Sequence, residues 1–499
     1  MNASRKSRVR PGAAVLLAAG ILALAGCLDQ NAPVSQRRLQ TIKAQRKKVA
    51  NEPRRIIFNN DGTDHPRGPE TAKAFLARRT APLMDSQVDA VSYNTRFGYR
   101  AETFPLVDDN GNELDKDHLA VLIEYCHRNG REAFWSMRMN DTHDSNIEKG
   151  LFLDQWKIDH RELLMAQSYT SFPYGWVNRP SWPWTAMDYE FPQVREHVLT
   201  VVTDVCRRYD VDAVELDFWR WPVFFKPQLY GQSVTQRHCD MMTDLLTRIR
   251  QAADEIGARR GRPILIAARV PDSIGYAREV GLDIERWLAD DLVDILIGGE
   301  FFQLQPWRRM VEAARPYNVP VYACLSRSRI PDDLLTFRAE AVWAWQDGVS
   351  GIYLFNETDA SAALLNELGD PKLLAPLPRA QKLKLGFLEW RHVQTVGSIL
   401  KGGERFFDKS LLNRYEKPVP EVGGMNVGLE PGDDIELVYT GDRYMLTYNE
   451  KRGTYRLFDL LDDPGRKTDL AVTKPDVFKA MKDALDAWRG RNENILYNE

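Results

Sequence analysis

Apolar runs of strand length alternate with amphipathic stretches of helical period along most of this chain. The clearest run, over 211–218, alternates two faces. Val211, Ala213, Glu215 and Asp217 share one face, and Val214, Leu216 and Phe218 share the other. The second face carries bulk for packing helices. The first carries small residues and then two carboxylates, which are costly in so apolar a segment unless paired or used. Similar runs at 55–58, 88–93, 132–139, 264–268, 293–297, 319–325 and 351–355 predict seven further strands. Helical stretches lie between them. Val194, Val198, Val201, Val202 and Val205 give the helix beginning near Pro192 one apolar face, and Ser233 with Gln236 reads as a capping box opening the next.

Eight strands alternating with helices predict an α/β chain folded as a (β/α)8 barrel. The alternative is an open doubly wound sheet. No glycine-rich phosphate loop follows the first strand, which argues against the usual nucleotide-binding forms of that sheet. The expected boundaries are an export segment at 1–26, a tether at 27–52, the barrel at 53–378 and a small β-rich accessory domain at 379–499. That last region includes strands at 435–439 and 443–448 and ends in a helix over 475–489.

The N-terminus changes this picture most. Arg5, Lys6, Arg8 and Arg10 precede an apolar run from Ala13 to Ala25, too short to span a bilayer. Leu24-Ala25-Gly26-Cys27 resembles a bacterial lipobox, which implies cleavage before Cys27 and lipidation of its thiol. The chain is thus expected to be exported and anchored to a cell-envelope membrane. The stretch that follows is polar and basic and reads as a tether, helical or disordered; a plain solvated linker is the favoured reading, with contact to anionic headgroups as an alternative. The remaining cysteines, Cys126, Cys206, Cys239 and Cys324, lack metal-type spacing and read as small core residues. Net charge of −3 gives no sign of nucleic-acid binding. No metal or other cofactor is expected, and oligomeric state is not readable.

Strand C-terminal ends converge at a barrel's mouth. Here they supply Asp61, Asn94, Asn140, Asp141, His143, Asp217, Arg269, Glu300, Arg327, Asn356 and Glu357. Aromatic residues crowd the same end: Trp219 and Trp221 follow the central strand. The connection after strand three carries Phe152, Trp156, Tyr169, Phe172, Tyr174, Trp176, Trp182, Trp184 and Tyr189. Rings that stack on sugar faces beside groups that bond hydroxyls suit carbohydrate. Cleaving a glycosidic bond needs two carboxyl groups, one on each side of it. Asp217 is the expected first carboxylate and Glu300 its partner, with Glu357 and Asp141 in reserve. His143 is expected to bind a hydroxyl. Parity turns Arg138 and Arg269 inward, where they are expected to hold Glu215 ionised beneath an exposed Asp217. A buried ion pair without chemistry is the plainer reading of those arginines. A non-catalytic sugar-binding barrel is the alternative to a hydrolase.

Several segments carry a resemblance. Ile56-Ile57-Phe58-Asn59-Asn60-Asp61-Gly62, Val91-Ser92-Tyr93-Asn94, Arg138-Met139-Asn140-Asp141-Thr142-His143-Asp144 and Tyr209 through Phe218 are similar to the glycosyl-hydrolase-like TIM-barrel group of bacterial surface proteins called family-10-like glycosyl hydrolases. Asp188-Tyr189 with Pro192-Gln193-Val194-Arg195 also fits. The resemblance spans about 54–375 and implies a TIM barrel acting on a polysaccharide. Tyr455 through Gly465, then Thr468-Asp469-Leu470-Ala471, resembles instead the tail of bacterial sulfatases, with departures at Arg466 and Asp469. The sulfatase nucleophile motif is missing; Cys324-Leu325-Ser326-Arg327 lacks its proline and spacing. An accessory β domain without sulfatase activity is expected.

Overall fold

The computed structural model describes residues 33–62, 64, 68–95, 105–142, 144, 155–168, 182–299, 303–327, 330, 334–357, 361–379, 399–414, 427–430, 436–440, 443–449, 452–459, 462–463 and 466–496. The expected export segment, Cys27, His143 and Glu300 lie outside them.

Eight strands close into a barrel: β1 (Ile56–Asn60), β2 (Val88–Asn94), β3 (Glu132–Arg138), β4 (Ala213–Asp217), β5 (Leu265–Val270), β6 (Ile295–Gly298), β7 (Val321–Leu325) and β8 (Gly351–Phe355). Each pairs in parallel with its neighbours in sequence order, and β8 pairs with β1 to close the ring. This is the (β/α)8 barrel. Every residue of β1, β4, β5, β6, β7 and β8 is buried, as strands enclosed on both faces require.

Two apolar clusters separate the inside of the barrel from the outside. Ile57, Ala90, Phe134, Ala213, Leu265 and Ile295 belong to the inner one. Val214, Leu216 and Phe218 belong to the outer one, beneath the helices. The helix Pro192–Arg208 buries Val194, Val198, Val202 and Val205, while Val201 packs at the edge. The helix Gln236–Arg260 is capped by Thr235, whose backbone N–H donates to His238 Nδ1 at 3.0 Å. The expected cap at Ser233 is therefore two residues early.

A larger difference lies ahead of the barrel. Part of the tether, for which a helix is one of two expected forms, is α1 (Gln36–Ala50), capped by Ser35, and it is packed on the barrel rather than solvated. Ile42, Arg46 and Ala50 fall on one helical face and are buried. Arg46 forms ion pairs with Asp254 at 3.2 Å, with Asp294 at 3.0 Å and with Asp291. Ala50 joins the inner cluster at the level of Ala213 and Leu265, the first residues of their strands. So α1 covers the bottom of the barrel, opposite the mouth. The sequence hid this because charged residues outnumber the three that are buried.

Beyond the barrel, β9 (Val427–Glu430), β10 (Glu436–Thr440), β11 (Tyr444–Asn449) and β12 (Thr454–Asp459) form an antiparallel sheet in sequence order. The helix Pro475–Leu496 packs on it through Met481 and Leu485, against Leu446 and Leu457. It runs past the expected end at Arg489.

Candidate active site

The inward face of β4 sets the site. Glu215 is fully buried at its centre. Its carboxylate accepts hydrogen bonds from Ser92 Oγ at 2.5 Å, Ser136 Oγ at 2.9 Å and the Tyr353 hydroxyl at 2.8 and 2.9 Å. These donors stand on β2, β3 and β8, all at inward positions. Burial, with the charge of Asp217 adding to it, pushes the Glu215 carboxyl up to about 7; Arg269, Ser92 and Tyr353 oppose the shift. Burial likewise raises the Tyr353 hydroxyl well above its ordinary value, so it stays a donor.

This corrects the expectation that Arg138 and Arg269 clamp Glu215. Strand register gives the reason. Arg138 and Arg269 both align with Asp217, whereas Ser136 and Ala267 align with Glu215. The arginines sit one layer too high. Arg269 Nη2 instead lies 2.5 Å from Asp217 Oδ2, with both side chains buried. Asp217 Oδ1 accepts the backbone N–H groups of Trp219 at 3.0 Å and Arg220 at 3.1 Å. Asp217 is thus not the exposed carboxylate expected: it is 2% exposed. The Arg269 guanidinium also lies over the Phe355 ring, 4.3 Å from its centroid.

A second ion-pair network spans β1 and β3. Arg138 reaches Asp61 at 2.5 Å and Asp141 at 2.8 Å. Arg220 lies 3.6 Å from Asp61 and, like Arg269, stands over Phe355. Burial works to raise the Asp61 carboxyl, but Arg138, Arg220 and Arg269 together hold it below its ordinary value. The two acids raise the Arg138 guanidinium against the opposing pull of burial. Asn94 Nδ2 donates to the Ser136 carbonyl at 3.2 Å. Arg79, which sequence reasoning passed over, donates to Asn60 at 2.8 Å, to Asn356 at 3.1 Å and to the Glu357 carbonyl at 3.3 Å. Asn356 holds a left-handed backbone, φ 49°. Glu357 is buried against Arg327, 2.6 Å from its Nε, and Arg327 stays 27% exposed. These residues tie the ends of β1, β7 and β8 together at the mouth.

Three expected sugar ligands serve other purposes. Asn140 is fully buried, donates to the carbonyls of Met187 at 3.1 Å and Val223 at 2.6 Å, and accepts from Met187 N–H at 2.8 Å. It staples the connection after β3 to the loop after β4. Trp219 packs edge-on to Tyr276, 6.0 Å between centroids, and is 1% exposed; Trp221 is 8% exposed. Burying such large apolar rings stabilises the loop more than leaving them in water would. In the long connection, Trp156 is stacked between His160 and His197, and Trp184 and Tyr189 are buried. Phe152, Tyr169, Phe172, Tyr174, Trp176 and the side chain of Trp182 lie outside the described residues.

Ser92, Ser136, Tyr353, Arg79 and Arg220 are the site residues the sequence reading missed. Alternation could have found the first three, since each lies two residues from another inward position. Among the described residues, no group of three or more His, Cys, Asp or Glu could hold a metal ion. The four described cysteines are buried and unbridged.

No family model and no curated protein matches the chain. Solved structures give distant likenesses. The GH36 α-galactosidase AgaA from Geobacillus stearothermophilus is 11% identical over 83% of this chain and 50% of its own, with a TM-score of 0.37. This chain therefore spans half the length of that protein. The glycoside hydrolase domain of PgaB (BpsB) from Bordetella bronchiseptica is 10% identical over 63% of this chain and 99% of its own, with a TM-score of 0.41. A GH18 N-acetylglucosaminidase from Paenibacillus barengoltzii is 11% identical over 62% of this chain and 97% of its own, with a TM-score of 0.35.

Proposed function

We propose that the chain is a glycoside hydrolase that cleaves an oligo- or polysaccharide at the barrel mouth. One observation carries the proposal. Glu215 and Asp217 lie on the same inward face of β4 in opposite environments. Glu215, buried among hydroxyls, holds a proton up to about neutrality. Asp217 is set against a guanidinium. Carboxyl groups whose surroundings divide them in this way are suited to separate tasks in proton chemistry.

An arginine partner suits a carboxylate that works in its charged form. Asp217 would then attack the anomeric carbon or activate a water, and the opposite acid would protonate the leaving oxygen. That acid is proposed to be Glu300, which follows Gly298 and Gly299 at the end of β6. Glu215 acts from beneath as the supporting acid. Arg327, about a quarter exposed at the rim, and Asp141 are offered to sugar hydroxyls. Export and lipid anchoring at Cys27 belong to the same proposal, and place the enzyme where envelope or extracellular polysaccharide is met.

A non-catalytic sugar-binding barrel is the second reading. The observation favouring it is that Asp61, Asp141, Asp217 and Glu357 are each engaged by an arginine. Release of soluble fragments from a polysaccharide panel separates the two. Wild type is expected to release fragments. Asp217→Asn is expected to bind the same polysaccharide and release fragments at least about a hundredfold more slowly. Equal release by both proteins would overturn the role given to Asp217, and binding without release by either would favour the second reading.

A further inference from the structure

The helix α1 carries six cations and no acid in its fifteen residues. Arg46 points inward to its three aspartates, and Lys47 pairs with Asp291. Arg37, Arg38, Lys43 and Lys48 are exposed, and no ion pair among the described residues engages them. At 3.6 residues per turn, Arg37 and Lys48 point directly away from the buried stripe of Ile42, Arg46 and Ala50, and Arg38 and Lys43 flank it. The outer side of α1 is therefore positive along its whole length. Asp291, already paired with Arg46 and Lys47, offers little to offset it; Glu52 lies beyond the helix's C-terminal end.

Position gives this face its meaning. The C-terminal end of α1 is fixed at the bottom of the barrel. There Ala50 enters the inner cluster, Asn51 Nδ2 donates to the Asn318 carbonyl ahead of β7 at 3.0 Å, and Arg54 pairs with Glu132, the first residue of β3. In sequence, the apolar run ending at Ala25 precedes the Ser35 cap by ten residues. We propose that the outer face of α1 is a docking surface for an anionic lipid bilayer. Docked in this way, the barrel stands with its bottom against the headgroups and its mouth turned to solvent. A rigid basic helix presents its charges together, within about a Debye length of the surface, where each contributes to attraction. The proposal depends on neither the chemistry at the mouth nor lipidation of Cys27.

The test uses the full chain reconstituted with vesicles of phosphatidylcholine alone or mixed with phosphatidylglycerol. One fluorophore is placed at Ala44→Cys on the outer face of α1, and another, in a separate protein, at Tyr230→Cys in the exposed loop after β4. Headgroup-borne quenchers report proximity to the bilayer. Quenching at position 44 is expected to be several-fold stronger on the anionic vesicles and to fall with added salt, while position 230 stays unquenched on both. Neutralising one of the four cations, as in Lys43→Gln, is expected to reduce the docked-to-undocked ratio about fivefold. Reversing all four is expected to return position 44 to its level on neutral vesicles, with the unfolding midpoint unchanged. Equal quenching of position 44 on both lipids, or stronger quenching at position 230, would overturn the proposal.

Discussion

Glu215 shows how a residue's neighbours decide its chemistry. A carboxyl buried away from water favours its neutral form, and the adjacent Asp217 charge reinforces that preference. The consequence for stability has a definite sign. The folded protein holds the Glu215 proton up to about pH 7, whereas an unfolded glutamate releases it near its ordinary value. Stability from this proton is present in full below that ordinary value and is lost as pH rises through 7. Between those limits the expected loss is about 3 kcal/mol. Glu215→Gln has no proton to lose, so its urea midpoint should change less with pH across this window. Parallel pH profiles for the two proteins would show that Glu215 is charged throughout. The sequence revealed that Glu215 points inward, because alternation fixes the face. It did not reveal the partners, because a face says nothing about height. Strand register sets height, and it put Ser136 rather than Arg138 beside Glu215.

At the scale of elements, the eight strands were legible because both faces of each are apolar over a strand's length. Chemistry shows at the points where that pattern breaks, as at Glu215 and Asp217. α1 was not legible as a packed element. Its buried face is one Ile, one Ala and an Arg whose burial makes sense only once Asp254, Asp291 and Asp294 surround it. Those acids lie more than two hundred residues away in sequence. Arg46→Met would leave buried acids with Arg250 as their remaining arginine. The expected cost is about 3–5 kcal/mol, read as a lower urea midpoint together with faster amide exchange in α1. An unchanged midpoint would mean that α1 is dispensable to the barrel. Asn140, Trp219 and Trp221 teach the same lesson at the mouth. Residue type suggested sugar contacts, but Asn140 joins two loops and both tryptophans are buried.

At the scale of the whole molecule, the barrel has two differentiated ends. The bottom is closed by α1 and carries outward positive charge. The mouth holds arginines paired with carboxylates, with Asp217 at the C-terminal end of the inward face of β4. The antiparallel sheet and the helix Pro475–Leu496 have a core of their own, in which Leu446, Leu457, Met481 and Leu485 meet. The sequence made this division readable through its change from helix–strand alternation to strands alone. The proposed reaction turns on the Asp217 carboxylate acting at the bond being broken. Asp217→Gly removes that carboxylate, and sodium azide supplies a small anion to the space left. On a polysaccharide that wild type cleaves, the most direct measurement is the rate of fragment release by this variant with and without azide. The expected rate is at least about a hundredfold below wild type, raised severalfold by azide, with azide-bearing sugar among the products. Release by Asp217→Gly at the wild-type rate would contradict it.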